Sequence, residues 1–273
     1  MGFPTVGIVA FSNVWNYFEH EAVNLGIKVK FNSEKISTDE LIQFADGCDL
    51  LCVDPNLIPL STIKTVEKSG VKIYPSSKTL ELLSQIEIFE QRDDSISILV
   101  ARSAHAQVSS WTATLRTNNL SITPAPGIAD EQMQEIQLAA LKLADEIGLI
   151  GGIELVVDAN EYKNLFGINW LSPSASYWSQ IGSTTNYFEQ VLRAVLDLPL
   201  GSTDLNSKFV LTGRLTTDPA SDDYRPYLHL MARTPALKFN QVSKEIAIYG
   251  DDLENLLTEI IHAQQYYSGD IDD

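Results

Sequence analysis

Basic residues are scarce in this chain. Its 19 Lys and Arg stand against 36 Asp and Glu, which gives a formal net charge of −17 at pH 7. Binding to a nucleic-acid backbone needs clustered basic side chains, so we expect no nucleic-acid partner. An acidic surface is typical of a soluble globular protein, and that is the simpler interpretation.

Cysteine and long apolar runs are also lacking. Cys48 and Cys52 are the only two cysteines in 273 residues, and neither has a histidine nearby in the sequence. The pair therefore predicts neither a disulfide framework nor a zinc site. No apolar run is long enough to cross a bilayer, and no charged-then-apolar leader follows Met1. From these absences we expect a cytoplasmic protein with no membrane partner.

Glycine is missing where a nucleotide-binding turn would need it. Apolar runs alternate with helical spacings through the first 75 residues, which predicts parallel βαβ units. In a dinucleotide-binding unit, closely spaced glycines after the first strand let the backbone approach phosphate. Here no glycine lies between Gly7 and Gly26, and the bulky Trp15 lies in that turn. The pattern predicts a Rossmann-like sheet without its phosphate-binding turn.

The middle of the chain lacks both glycine and lysine. No lysine occurs between Lys78 and Lys142, and no glycine between Gly70 and Gly127. A polyphosphate site needs backbone amides exposed by glycine, or fixed cations. The only cations that this stretch offers are three arginines, namely Arg92, Arg102 and Arg116.

An amphipathic helix is present in the second half of the chain. Glu189 and Arg193 lie four residues apart, in the order that favours an ion pair. Pro199 and Gly201 then end the helix, because proline cannot continue it and glycine tolerates the following turn. Hydroxyl residues at 183–185 are the predicted caps at its start. The apolar face that should pack on a core comprises Phe188, Val191, Leu192 and Val195.

This helix carries a family resemblance. The run YFEQVLRAVLDLPLGST at 187–203 resembles the QFEQHLRAVLGLPLGST stretch of carboxyaminoimidazole ribonucleotide synthase. ILVARSA at 98–104 and LADEIGLIG at 143–151 are similar to further segments of that family. The family belongs to the ATP-grasp superfamily and carries out an ATP-dependent carboxylation in purine biosynthesis. The resemblance covers most of residues 95–205 and implies that relatives use ATP and magnesium.

The predicted fold class is α/β (α+β) in three domains. We expect a Rossmann-like domain at 1–75, a truncated ATP-grasp core at 76–205, and a small C-terminal sheet with a final helix at 206–273. Apolar runs at 209–212, 227–231 and 245–249 predict the strands of that small sheet. In the family, a lid subdomain with lysines and a glycine-rich loop follows the helix that begins near residue 76. Here only Arg92–Asp94 separate the predicted helix at 76–91 from the strand at 95–102, which implies a degenerate member without the lid.

The resemblance also implies remnants of a metal site. The family holds magnesium between two acidic residues, and Glu154 matches the first of them. Asn169 matches an asparagine next to the second acid, but Trp170 replaces that acid and Ser174 replaces an arginine. Tryptophan cannot serve a hard cation, because its indole nitrogen only donates hydrogen bonds. For Glu154 the alternative is a carboxylate that faces solvent or a nearby arginine.

Two arginines are candidate phosphate ligands. Arg102 lies in the ATP-grasp stretch, and Arg233 stands near the place where related enzymes carry cations for the ribonucleotide phosphate. The alternative is that these are scattered surface cations. The four histidines show no ligand spacing, so we expect no catalytic histidine, and we expect no resident cofactor.

Three functions are compatible with this sequence. The first is a catalytically silent relative that acts by binding, as a homodimer, with an intact synthase, or with the downstream purine-pathway mutase. The second is an active ligase that forms carboxyaminoimidazole ribonucleotide from aminoimidazole ribonucleotide, ATP and bicarbonate. The third is a ribonucleotide-binding sensor. Fold resemblance alone does not choose among them, but the first explains every missing feature by one cause, so we expect it.

Overall fold

The computed structural model describes residues 2–90, 94–117, 119–216, 223–241 and 243–271. Two sheets organise these residues, one parallel and one antiparallel. The predicted α/β class is therefore confirmed. No helix in the described part of the chain is both long and apolar enough to cross a membrane.

The N-terminal sheet is Rossmann-like. Its four strands pair in parallel in the order β2-β1-β3-β4. β3 is buried along its whole length, as expected for a strand with both faces covered. A short 3₁₀ turn, Ser12–Val14, follows β1 in place of a glycine-rich loop. The elements are β1 (Thr5–Val9), α1 (Trp15–Leu25), β2 (Lys28–Asn32), α2 (Thr38–Phe44), β3 (Leu50–Val53), α3 (Leu60–Lys68) and β4 (Ile73–Tyr74).

The second sheet joins the middle of the chain to its C-terminal part. Its strands pair antiparallel in the order β10-β9-β5-β7-β8-β11-β13-β12, and β6 pairs with β5. Its strands are β5 (Ser95–Arg102), β6 (Val108–Ser110), β7 (Thr114–Arg116), β8 (Leu120–Thr123), β9 (Gly151–Asp158), β10 (Leu165–Trp170), β11 (Phe209–Arg214), β12 (Lys238–Asn240) and β13 (Glu245–Gly250).

Helices cover both faces of this sheet. They are α4 (Ser77–Leu83), α5 (Asp130–Glu146), α6 (Pro173–Gly182), α7 (Tyr187–Val195), α8 (Arg225–Arg233) and α9 (Leu253–Ser268). In the sequence, residues 84–94 are all that lie between α4 and β5. β11 pairs with β8, so one continuous sheet crosses the predicted boundary at 205/206, and the division into three domains stays a prediction.

The predicted strand at 227–231 is wrong. This segment forms α8, and its first turn contains Pro226, which suits a helix start. Tyr227 and Leu230 are buried while Leu228 is 53% exposed, so the spacing of the buried residues is helical. An apolar run of five residues does not separate the two periods, and the proline was the signal that favoured a helix.

The amphipathic helix predicted at 187–195 is confirmed as α7. Phe188 is fully buried, its ring stacked on Tyr17 at 4.7 Å between centroids and edge-on to Phe18 at 5.1 Å. Arg193 Nη2 lies 2.8 Å from Glu189 Oε1, as the spacing predicted. The cap, however, is the next residue after the predicted hydroxyls, because Asn186 accepts the Glu189 backbone N–H at 3.0 Å.

Candidate functional site

A polar cleft of about 580 Å³ opens at the carboxyl ends of β1 and β3. Loops after parallel strands meet at one sheet edge, which is where open α/β sheets bind their ligands. Asp54 and Asn56 reach the cleft from the loop after β3, and the opposite wall is the turn from β10 into α6. Arg116 from β7 also lines it.

Glu154 lies beside this cleft, completely buried in β9. Its Oε1 accepts hydrogen bonds from Ser97 Oγ at 2.5 Å and from Arg116 Nη1 at 2.6 Å. Its Oε2 accepts one from Asn169 Nδ2 at 2.8 Å. The strand register explains the last contact, because Asn169 of β10 lies directly opposite Glu154. A buried carboxylate is stable only when paired, and Arg116 supplies the countercharge.

Trp170 occupies the end of β10, next to Asn169. It is half-buried, packs against the core beneath α5 and also lines the cleft. Leu171 follows in the left-handed region with φ 47°, and Pro173 then begins α6. Trp170 pairs with Ile153 in the register, so its ring lies on the side of the sheet opposite the Glu154 carboxylate. Among the described residues, no group of three His, Cys, Asp or Glu side chains is placed to hold a metal ion.

The two candidate phosphate ligands lie apart from each other. Arg102 donates from Nε to Asp145 Oδ1 at 3.0 Å and from Nη1 to the Leu149 carbonyl at 3.0 Å, so it ties β5 to α5. Arg233 is the exposed last residue of α8. Neither is among the described residues that line the cleft. Their phosphate roles stay predictions, and Arg92 lies outside the described residues.

No sequence pattern predicted the side chains that gather around Glu245, the first residue of β13. Burial raises the pKa of Glu245 to about 7, and the neighbouring Ser243, Arg214 and Arg116 only partly offset that effect. Burial also raises the pKa of Tyr17, whose hydroxyl accepts a hydrogen bond from the Asn240 amide. These residues come from distant parts of the chain, so no local motif announces them.

Comparison with known proteins shows which enzymes this chain is related to. No family model matches the chain. It is 32% identical over 139 residues to the N5-carboxyaminoimidazole ribonucleotide synthase of Corynebacterium ammoniagenes, and 31% identical over 170 residues to that of Mycobacterium tuberculosis. The chain is a homologue of the carboxyaminoimidazole ribonucleotide synthases. The matches cover 47% and 58% of this chain but only 33% and 40% of those two synthases, so the chain spans less than half of their length.

Solved synthase structures share the fold. The carboxyaminoimidazole ribonucleotide synthetase of Thermus thermophilus aligns with a TM-score of 0.77 over 98% of this chain and 99% of that chain, at 16% identity. The enzyme of Aspergillus clavatus, in complex with ADP and aminoimidazole ribonucleotide, aligns with a TM-score of 0.80 over 97% of this chain and 98% of that chain, at 14% identity. At such low identity the likeness establishes the fold alone.

The synthase resemblance paired Glu154 with Asn169, and the structure brings these two side chains together. The sequence did not reveal that Arg116 and Ser97 complete the group. A divalent ion at Glu154 would have to displace the Arg116 guanidinium, and Asn169 directs its amide nitrogen, a donor, at the carboxylate. The residues present therefore fit an arginine-paired carboxylate better than the synthase's magnesium pair, whose remnant status stays a prediction.

Proposed function

We propose that this chain is a catalytically silent relative of the synthases that acts by binding. The observation that carries the proposal is the pairing of Glu154. Each of its oxygens already accepts a hydrogen bond, and Arg116 neutralises its charge. In a nucleotide site, magnesium bridges phosphates through oxygen ligands and adds positive charge. An ion could bind Glu154 only by displacing these partners.

The short connection between α4 and β5 supports the same proposal. The synthase resemblance implies a lid at this position, with lysines and glycine-rich backbone that clamp ATP phosphates. Residues 84–94 contain neither lysine nor glycine. Phosphoryl transfer also needs water kept from the reacting groups, which a lid provides. An active ligase would need other groups for both tasks.

A second candidate is a ribonucleotide-binding sensor, and the cleft favours it. The volume of about 580 Å³ lies in the range of small-molecule sites. Asp54 accepts hydrogen bonds from Asn56 at its rim, and the guanidinium of Arg116, although paired with Glu154, has further N–H groups that can donate to a ligand. Such a set suits a hydroxylated, singly phosphorylated ligand better than a triphosphate.

A thermal-shift panel with Mg-ATP, aminoimidazole ribonucleotide and AMP separates these functions. We expect Mg-ATP at millimolar concentration to leave the melting temperature unchanged. A ligand at one hundred times its dissociation constant would stabilise the fold by about 2.7 kcal/mol. An intact synthase is the positive control. A dose-dependent rise with Mg-ATP would refute the silent proposal, whereas a rise with either monophosphate alone would favour the sensor.

We also propose a homodimer, with association to an intact synthase or to the downstream mutase as further possibilities. The apolar face of α7 is buried within the chain, so another surface has to supply the contact. Tyr224 and Leu228 at α8 are more than half exposed, and Tyr224 also lines an apolar groove with Tyr227. Light scattering should return twice the mass of one chain at micromolar concentration. A monomer mass throughout that range would rule the dimer out.

A further inference from the structure

A second, smaller cavity lies on one face of the antiparallel sheet. The strand register builds it, because Arg116, Ser121 and Thr212 lie side by side on β7, β8 and β11. Two residues along β11, Arg214 lies directly opposite Glu245 of β13. Residues that face each other across antiparallel strands share one side of a sheet. The cavity of about 60 Å³ is therefore lined by two arginines, hydroxyl groups and one carboxyl group.

Glu245 is the unusual group in this cavity. Its side chain is more than nine-tenths buried, and its Oε2 accepts no hydrogen bond of normal geometry from the described residues, although the Ser243 hydroxyl lies near it. A buried polar atom without a partner is costly, and in native proteins it commonly marks a bound water or ligand that the protein atoms alone do not include. Four titratable or charged side chains surround Glu245: Arg116 of β7, Arg214 of β11, Tyr17 of α1 and Tyr177 of α6.

The charge balance selects the kind of ligand. Arg116 is already paired with Glu154, so its charge is compensated. Arg214 has no ion pair among the described residues. When Glu245 carries a proton, the cavity holds one net positive charge and a carboxyl O–H that can donate. When Glu245 is ionised, its charge offsets that of Arg214, and a second anion would be repelled.

We propose that this cavity binds one small monovalent oxyanion, held by Arg214, Arg116 and the carboxyl group of Glu245. The size fits a group of a few atoms, since about 60 Å³ is several times the roughly 10–15 Å³ of cavity that one water molecule needs. Formate and nitrate are of that size, whereas a nucleotide is not. Cationic ligands are disfavoured by the two guanidinium groups. The proposal does not depend on the silent-relative proposal, and either can fail alone.

Proton uptake by Glu245 makes the binding depend on pH in a definite direction. The pKa of Glu245 is about 7 in the folded protein, so below pH 7 the carboxyl is protonated and ready to donate. Above pH 7 the carboxyl is ionised, so Glu245 has to take up a proton for each anion that binds. The apparent dissociation constant therefore rises about tenfold per pH unit. Formate is ionised throughout this range. Titration with ¹³C-formate, followed by NMR, should give a dissociation constant about tenfold higher at pH 8 than at pH 6.

Two variants and one control test the assignment. Glu245→Gln keeps a neutral hydrogen-bonding group, so formate should still bind but with the same dissociation constant at both pH values. Arg214→Gln removes an exposed side chain and should weaken binding at least about tenfold at pH 6. Lys142→Gln, at an exposed position of α5 that does not line the cavity, should change nothing. No saturable binding at pH 6 would overturn the proposal, as would full affinity in Arg214→Gln or a tenfold pH effect that persists in Glu245→Gln.

Discussion

Replacing Arg116 with alanine should lower the free energy of unfolding by about 3 kcal/mol. The substitution leaves the Glu154 carboxylate completely buried with only Ser97 and Asn169 as partners. Removing one member of a buried ion pair costs about 3–5 kcal/mol, because the remaining charge is uncompensated. We expect the lower end of that range, since the two hydrogen bonds remain and Arg116 itself is 28% exposed. Urea unfolding followed by circular dichroism measures the change.

Two further variants separate the charge from simple loss of packing. Arg233→Ala removes an exposed arginine and should change the free energy of unfolding by less than about 0.5 kcal/mol. Arg116→Met combined with Glu154→Leu removes both charges, and it should recover most of the loss because an apolar pair commonly replaces a buried ion pair at little cost. A double variant no more stable than Arg116→Ala would contradict the electrostatic explanation.

Replacing Phe188 with alanine should be at least as destabilising, by about 3–5 kcal/mol. Its ring is fully buried in α7 and contacts both Tyr17 and Phe18 of α1. The loss of these contacts would leave a cavity where the two sheets' helices meet, which adds to the lost burial energy. Phe3→Ala is the matched control, because Phe3 is 73% exposed. Chemical denaturation should show a lower midpoint for Phe188→Ala alone, and equal midpoints for both variants would mean that α7 is not central to the core.

The parts of the fold that the sequence predicted are those with local signals. Alternation of apolar runs predicted the parallel N-terminal sheet, and the Glu189–Arg193 spacing predicted an ion pair on α7 that the structure contains. The 187–203 run predicted the synthase relationship, which the comparisons confirm. These features need only residues that are near one another in the chain. These features could therefore be predicted from the sequence.

The site was less predictable because its partners come from different strands. The family resemblance singled out Glu154 and Asn169 as remnants of a metal site, which stays a prediction. Arg116 pairs with Glu154 only because β7 and β9 both flank β5. The register of a sheet with nine described strands is set by long-range pairing, which no local pattern encodes. The same holds for Glu245, which is opposite Arg214 across two strands distant in sequence. Burial then changed its pKa, and burial is a property of the whole fold.

The Trp170→Glu variant tests whether restoring one carboxylate is enough to restore catalysis. Trp170→Glu would restore a carboxylate beside Asn169, but it supplies none of the cations and amides that phosphoryl transfer needs around the nucleotide. It also exchanges a half-buried ring for a charge, which should cost stability. This variant should therefore be assayed together with the wild-type protein.

The central claim is that the chain performs no ATP-dependent carboxylation. Its most direct test measures ADP release by the wild-type protein and Trp170→Glu with ATP, bicarbonate and aminoimidazole ribonucleotide, with each substrate omitted in turn. An intact synthase in the same assay establishes its sensitivity. We expect ADP release to stay at the no-enzyme rate for both proteins, whichever substrates are present. Release by the wild type that requires aminoimidazole ribonucleotide and bicarbonate would contradict the claim outright, and release confined to Trp170→Glu would place the site one residue from activity.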